Sequence, residues 1–323
     1  FRFKFWVVDK WVWVNIDDRL PARKWGSAFR PWATGRSPLG AWWMPLLEKA
    51  YAKLDQNYDR IAWGNGIEGL RTLTGKPANF FTIRVSFIIA RDCSQVWAAK
   101  NYPATASCCN NVGGVAADGL TSGHAYSFLD LQNVGGHMLA KMRNPWGSEG
   151  YKGKWSDKDP NWTAAMKHRL TLSMRTTVSS GCRMRTCLAT SVKLMLVTLM
   201  LLSLDHPLFF SRQDYQIKVV NKVSQTIQIT AETYSERHYP RAAKCQKNSM
   251  NVLMRFKDQS GKLVEPLQPY SFIKSWGFGT VGKYAGELPA GSYILEITNQ
   301  GGTKADLAVQ FSASKQSPSL YNA

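Results

Sequence analysis

The chain has 323 residues, 44% of them hydrophobic, with 41 Lys and Arg against 22 Asp and Glu, a formal charge of +19. That length suits two ordinary domains with real cores, and no apolar run reaches the ~18–20 residues that a membrane-spanning helix needs. Six cysteines in such a length do not make a disulfide scaffold, and the basic excess lacks the regular Lys/Arg spacing with interleaved aromatics that marks a nucleic-acid-binding face.

The chain opens with Phe1-Arg-Phe-Lys-Phe-Trp-Val-Val8, already in the alternating pattern of a strand, and no charged-then-apolar leader precedes it. A domain rarely begins mid-strand, so the N-terminus reads as truncated. Phe1–Ile16 predicts two strands joined near Asp9-Lys10. Trp42–Leu54 predicts a helix, with apolar positions at Trp43, Leu46, Leu47, Ala50, Tyr51 and Leu54. Gly64, Gly66, Gly69 and Gly75 read as loop punctuation. Ser122–Leu131 and Met138–Arg143 predict strands around a Gly135-Gly136 turn. Beyond Arg212 the texture changes. Short alternating runs recur at Gln216–Val220, Thr226–Thr230, Val252–Phe256, Ser292–Thr298 and Asp306–Phe311, which predicts an antiparallel β-sandwich of about 100 residues. The polar tail from Ser312 to Ala323 reads as frayed.

Two stretches carry chemistry. One is Gly119-Leu-Thr-Ser-Gly-His124-Ala-Tyr-Ser127; the other is Arg143-Asn144-Pro-Trp146-Gly147, followed by Trp155-Ser-Asp157. A histidine between strands is, taken alone, more often structural than catalytic. An asparagine on the neighbouring strand changes the balance, because its side chain can fix the imidazole tautomer as a thiol peptidase requires. A hairpin would set His124 beside Asn144, and Trp146 would shield their hydrogen bond from water. His137, His168, His206 and His238 have no such setting. No Cys or His spacing suggests zinc.

These residues resemble the calpain family. G-H-A-Y-S, then R-N-P-W-G and a W-S-D loop, is its His/Asn signature. Upstream, Trp11-Val-Trp-Val-Asn-Ile-Asp17-Asp18-Arg19-Leu-Pro21 is similar to the family's D-D-R-L-P strand, and Leu46-Leu-Glu-Lys-Ala-Tyr-Ala-Lys-Leu54 to its L-L-E-K-A-Y-A-K-L helix. The resemblance runs from Phe1 to about Trp162, with a weaker one over Arg212–Phe311, where Thr233-Tyr-Ser-Glu-Arg237 stands in the place of a Q-x-D-x-R stretch.

The resemblance implies an α+β fold: a papain-like calpain protease core followed by a C2-like antiparallel β-sandwich. Residues 1–76 would be a partial first subdomain and 77–207 the second subdomain. The sandwich would be 211–314 and the tail 315–323. It also implies a calcium-dependent cysteine endopeptidase acting on protein substrates, and the six cysteines, read as reduced, fit a cytoplasmic setting. In that endopeptidase His124 is the general base, Asn144 its orienter and Trp146 the shielding aromatic. Asp157 matches a calcium ligand, with Glu149 beside the place of its partner acid. The sandwich would take a lipid or protein partner; nucleic acid is not expected.

The departures are specific. The family's nucleophile lies in a Q-G-x-x-G-D-C-W motif upstream of D-D-R-L-P, and Cys93, Cys108 and Cys109 lie outside any such motif. Gly150 and Ala41 occupy places where the family has calcium-binding acids. The chain as written is therefore expected not to hydrolyse peptides. The alternative is a non-catalytic calpain-like scaffold, which a Ser or Lys in the upstream motif would mark.

Acidic residues are missing between Asp18 and Glu48, between Glu68 and Asp92, and between Asp159 and Asp205. Read one base over, Met174–Cys187 can encode E-D-D-G-V-F-W-M-P-Y-E-D-V, which resembles the acidic, aromatic segment that the family places after the W-S-D loop. Lys24–Trp32, in the other frame, can encode N-G-E-L-L-F-V-H-G, like the family's loop after D-D-R-L-P. The expectation is a coding sequence with compensating frameshifts, in which much of the +19 charge comes from translation rather than function.

Overall fold

A computed structural model describes residues 1–25, 28–31, 42–76, 103–107, 119–121, 123–134, 137–145, 151–156, 159–166, 185–187, 208–210, 214–232, 252–264, 281–299 and 307–322. Antiparallel strands dominate among them, with two α-helices and one short 3-10 turn. The chain falls into two units. One gathers Phe1–Asp17, Lys49–Ala78 and Leu199–Ala323; the other gathers Asp18–Glu48 and Asn79–Thr198.

In the first unit, β1 (Arg2–Val7) and β2 (Lys10–Asn15) form the hairpin that the alternation predicts, with Trp6 opposite Trp11. Phe5, Val7 and Val14 are buried. The helix α1 spans Trp43–Leu54, and its residues from Lys49 on are counted in this unit. Its last turns belong to this unit, where Tyr51 meets Phe5 edge-on at 5.8 Å. There Lys49 pairs with Asp17, and Lys53 Nζ donates to the Asn15 carbonyl at 2.7 Å.

A second helix, α2 (Gly66–Thr74), lies where the glycines read as loop. The one internal glycine, Gly69, costs the helix about 1 kcal/mol relative to alanine, while Gly66 stands at its first position. Capping and burial outweigh that cost. The Asn65 side chain accepts from the Ile67 amide at 3.0 Å, and Ile67 and Arg71 are buried. Gly75 ends the helix in the left-handed conformation, φ +66°, and its amide donates to the Arg71 carbonyl at 2.7 Å.

Apart from a 3-10 turn at Tyr58–Ile61, the other described residues of this unit form two four-stranded sheets around one core. The first runs β12 (Val252–Asp258), β14 (Gly291–Asn299), β10 (Asp214–Asn221), β16 (Ser319–Asn322). The second runs β13 (Val281–Leu288), β11 (Gln225–Glu232), β15 (Leu307–Ala313), β9 (Leu208–Phe210). Ile217, Val219, Phe256, Leu295 and Ile297 of the first meet Ile227, Ile229, Leu288, Val309 and Phe311 of the second. Removing each such side chain from water contributes about 1.5–3 kcal/mol. Three strands of these sheets were not legible in the sequence: β9, which lies ahead of the expected boundary at 211, β13 and β16. β13 carries Gly282 and Gly286, which dilute its pattern. The tail expected to be frayed supplies β16, which pairs with β10 and packs Leu320 on the core.

On β11 the alternation implies one solvated face, yet seven of its eight residues are buried. Gln228, Thr230 and Glu232, with Gln310 and Ser312 of β15, form a buried polar face. Segments from the front of the chain lie against it. Arg71 Nη2 donates to Glu232 Oε2 at 2.5 Å and to Gln310 Oε1 at 3.3 Å. Gln310 Nε2 donates to the Gly75 carbonyl at 3.3 Å. Val7, Val8 and Ala308 pack together.

The second unit holds a ribbon of β3 (Ala22–Trp25) and β4 (Ala28–Pro31). It also holds the sheet β5 (Ala104–Ser107), β6 (Ala125–Val134), β7 (His137–Arg143), β8 (Arg185–Cys187), in that order.

Candidate active site

β6 and β7 are the strands predicted around Gly135-Gly136. They pair antiparallel from Val134↔His137 to Ser127↔Arg143, with an irregularity between Phe128 and Asp130. His124 immediately precedes β6 and Asn144 immediately follows β7, so both lie at the end of the ladder opposite the turn. Gly123, at φ +66°, turns the chain into His124; residues with a Cβ rarely adopt that conformation.

His124 Nε2 lies 2.9 Å from Asn144 Oδ1. An amide oxygen only accepts, so this contact makes Nε2 the donor and leaves the lone pair of the neutral ring on Nδ1. Tyr126 stands edge-on to the imidazole, centroids 4.8 Å apart and planes at 84°. Its ring is buried, and its hydroxyl accepts from the Thr121 amide at 3.0 Å. The tyrosine thus ties the His-bearing turn to the strand, a support that the motif reading did not assign.

A cross-braced loop follows Asn144. Trp155 and Trp162 stack edge-on at 4.9 Å and share a buried cluster with Leu139 of β7. Trp155 has φ +66°, unusual for a side chain of that size. Asp159 holds it there: one carboxylate oxygen accepts from the Trp155 amide, the other from the Asn161 amide at 2.9 Å and from Asn161 Nδ2 at 2.8 Å. Trp162 Nε1 donates to the Ser156 carbonyl at 2.7 Å, and the Tyr151 hydroxyl to the Lys154 carbonyl at 2.9 Å. The amides of Asn161 and Trp155 hold the Asp159 carboxyl below the usual carboxylate range, against the opposing effect of burial. Asp159-Pro-Asn161 is a turn signal that the sequence did carry.

Of the predicted site residues, the structure brings His124 and Asn144 together. Trp146, Glu149 and Asp157 lie outside the described residues, as do Cys93, Cys108 and Cys109 and residues 167–184. Among the described residues no group of three or more His, Cys, Asp or Glu is placed to hold a metal ion. Asp159, the described acid of this loop, spends both oxygens on N–H donors. The described residues therefore do not assemble the six to eight oxygens of a calcium site.

Comparison with known proteins fits this arrangement. The calpain family cysteine protease model matches residues 1–181. A calpain-type cysteine protease of Arabidopsis thaliana, DEK1, is 34% identical over 179 residues, covering 53% of this chain and 8% of that protein. The calpain-2 catalytic subunit of Gallus gallus is 32% identical over 182 residues, 53% of this chain and 25% of the relative. Calpain-8 of Rattus norvegicus is 32% identical over 170 residues, 50% and 24% respectively. The chain thus spans at most a quarter of the length of these relatives. A family match over more than half of its residues shows that the chain belongs to the calpain family of cysteine proteases.

Proposed function

We propose that this chain carries the base half of a calpain-type cysteine endopeptidase site, with His124 as general base and Asn144 as its orienter. The observation that supports the reading is the 2.9 Å contact between His124 Nε2 and Asn144 Oδ1. In thiol proteolysis the base takes the proton of the cysteine, and the thiolate attacks the peptide carbonyl. The same imidazolium then protonates the leaving amine, and water releases the acyl group. With Nε2–H held by Asn144, Nδ1 is the atom that takes and returns the proton. Trp146 would shield the Nε2–H bond.

The nucleophile is the missing part of this reading. No cysteine of the sequence stands in a G-D-C-W motif, and the family's oxyanion hole draws on the amide at that cysteine. Calcium dependence is proposed by resemblance, through Asp157 with Glu149, and no catalytic step is assigned to the ion. Residues 1–76, 77–207 and 211–314 are the proposed partial first subdomain, second subdomain and C2-like sandwich. Protein substrates, a lipid or protein partner of the sandwich, and a cytoplasmic setting belong to the same reading.

The test is a casein assay with and without millimolar calcium. Residues 1–323 are expected to give no turnover. Fusing a G-D-C-W segment upstream and restoring the two alternate-frame stretches is expected to give calcium-dependent cleavage, which His124→Ala lowers by about 10²–10⁴-fold. Thiol-sensitive turnover by the unmodified chain would overturn the missing-nucleophile reading. Restored activity indifferent to His124→Ala would overturn the base assignment.

A further inference from the structure

One face of the β1–β2 hairpin carries cations interleaved with indoles. The register sets Arg2 opposite Asn15, Lys4 opposite Trp13 and Trp6 opposite Trp11, so these six side chains share a face; Trp6 is buried at its turn end, where one edge of Trp11 meets Gly75, and the other five are exposed. The Arg2 guanidinium carbon lies 4.1 Å from the Trp13 ring centre, and Lys4 Nζ lies 5.1 Å and 5.5 Å from the rings of Trp11 and Trp13. Trp11 is 39% and Trp13 49% exposed, and Arg2 and Lys4 are exposed with them. Cross-strand cation–π pairs contribute about 0.5–1 kcal/mol each at exposed sites. Holding the hairpin together does not, however, require two adjacent indoles left partly in water, and adjacent exposed aromatics mark an interaction surface.

We propose that this face docks on an anionic lipid bilayer, with Trp11 and Trp13 at headgroup depth and Arg2 and Lys4 on lipid phosphate and carboxylate groups. Tryptophan beside Lys and Arg is the composition that partitions to the membrane–water interface. Each cation near an anionic leaflet contributes about 1 kcal/mol. A nucleic acid fits less well. Stacking a base needs an open indole face, and here Arg2 and Lys4 lie over those faces. A guanidinium stacked on a ring still offers its in-plane N–H groups to an anion. The hairpin lies ahead of every acid-free window, so its charge does not depend on the reading frame of those stretches. The proposal is also independent of the proteolytic reading, and it concerns the hairpin rather than the two-sheet body.

The experiment uses residues 1–323 with vesicles of phosphatidylserine and phosphatidylcholine, and of phosphatidylcholine alone, followed by co-flotation and tryptophan emission. Binding is expected only with phosphatidylserine, with a blue shift, and it should weaken as salt rises. Arg2→Gln with Lys4→Gln should weaken it about tenfold or more, from the two lost cations. The charge-conserving pair Arg2→Lys with Lys4→Arg should retain it. Trp13→Ser should reduce the blue shift with an unchanged circular dichroism spectrum; a spectrum that changes hands the test to the two charge variants. The proposal fails if phosphatidylserine vesicles do not bind, or if the Gln variant binds as the parent does. It fails too if single-stranded DNA binds more tightly than vesicles and is lost in that same variant.

Discussion

Arg71 of α2 and Glu232 at the end of β11 are 161 positions apart in the chain and form a buried ion pair. Removing one member of such a pair costs about 3–5 kcal/mol, because the other is left as an uncompensated buried charge. Arg71→Met is expected to lower the urea midpoint accordingly. Arg71→Met with Glu232→Leu should cost clearly less than Arg71→Met alone, and a strictly additive double variant would refute the coupling. The pair also has a pH signature. Burial pushes the Glu232 carboxyl above its ordinary range, and the Arg71 charge only partly offsets it. A raised folded-state value means that the folded chain holds this proton more tightly than the unfolded chain. The carboxyl's share of stability is therefore greatest at low pH, and it declines as pH rises from the ordinary carboxylate value through the raised one. Glu232→Gln should flatten that decline.

Asp159 should show the opposite sign. Its carboxyl is held low by the Asn161 and Trp155 amides, so its contribution is present above the ordinary carboxylate value and is lost as pH falls through the lowered one. Asp159→Asn is expected to remove this part of the acid-side loss. Asp159→Ala should in addition release Trp155 from its left-handed conformation, read as a red shift of tryptophan emission. Emission unchanged by Asp159→Ala would show that the Trp155–Trp162 packing alone holds the loop.

Gly75→Ala tests the end of α2. A Cβ at this position would lie 2.7 Å from Trp11 Cζ2 and 3.3 Å from Trp6 Cε3, at a φ of +66°. The conformation alone costs an L-residue about 1–2 kcal/mol, and two rigid indoles must shift as well. A loss of at least that size in chemical denaturation is expected. Alanine tolerated without loss would mean that the helix end and the hairpin are not packed as described.

The sequence was most legible where one rule acted alone. Strict alternation predicted β1 and β2, and apolar spacing predicted α1. The His124 and Asn144 motifs predicted a pairing that the ladder β6–β7 does assemble at 2.9 Å. It was least legible where distant segments decide the outcome. Glycines at 66 and 69 hid α2, because the cap at Asn65 and the burial of Arg71 outweigh the cost of the internal Gly69. Gln228, Thr230 and Glu232 look solvated because alternation records polarity, not what covers it. Asp159 carries no motif of its own: the resemblance marks Asp157 as the metal-binding acid, whereas the described loop is closed by Asp159 accepting from the Trp155 and Asn161 amides.

The covered face of β11 and β15 makes this chain a candidate for splitting. A face of glutamine, threonine, serine and one carboxylate that loses its cover meets water with Ala308 as its apolar contact to Val7 and Val8, apart from the core between the two sheets. Segments separated at that face would find one another again through a complementary charge, Arg71 with Glu232, and a glutamine that reaches across to Gly75.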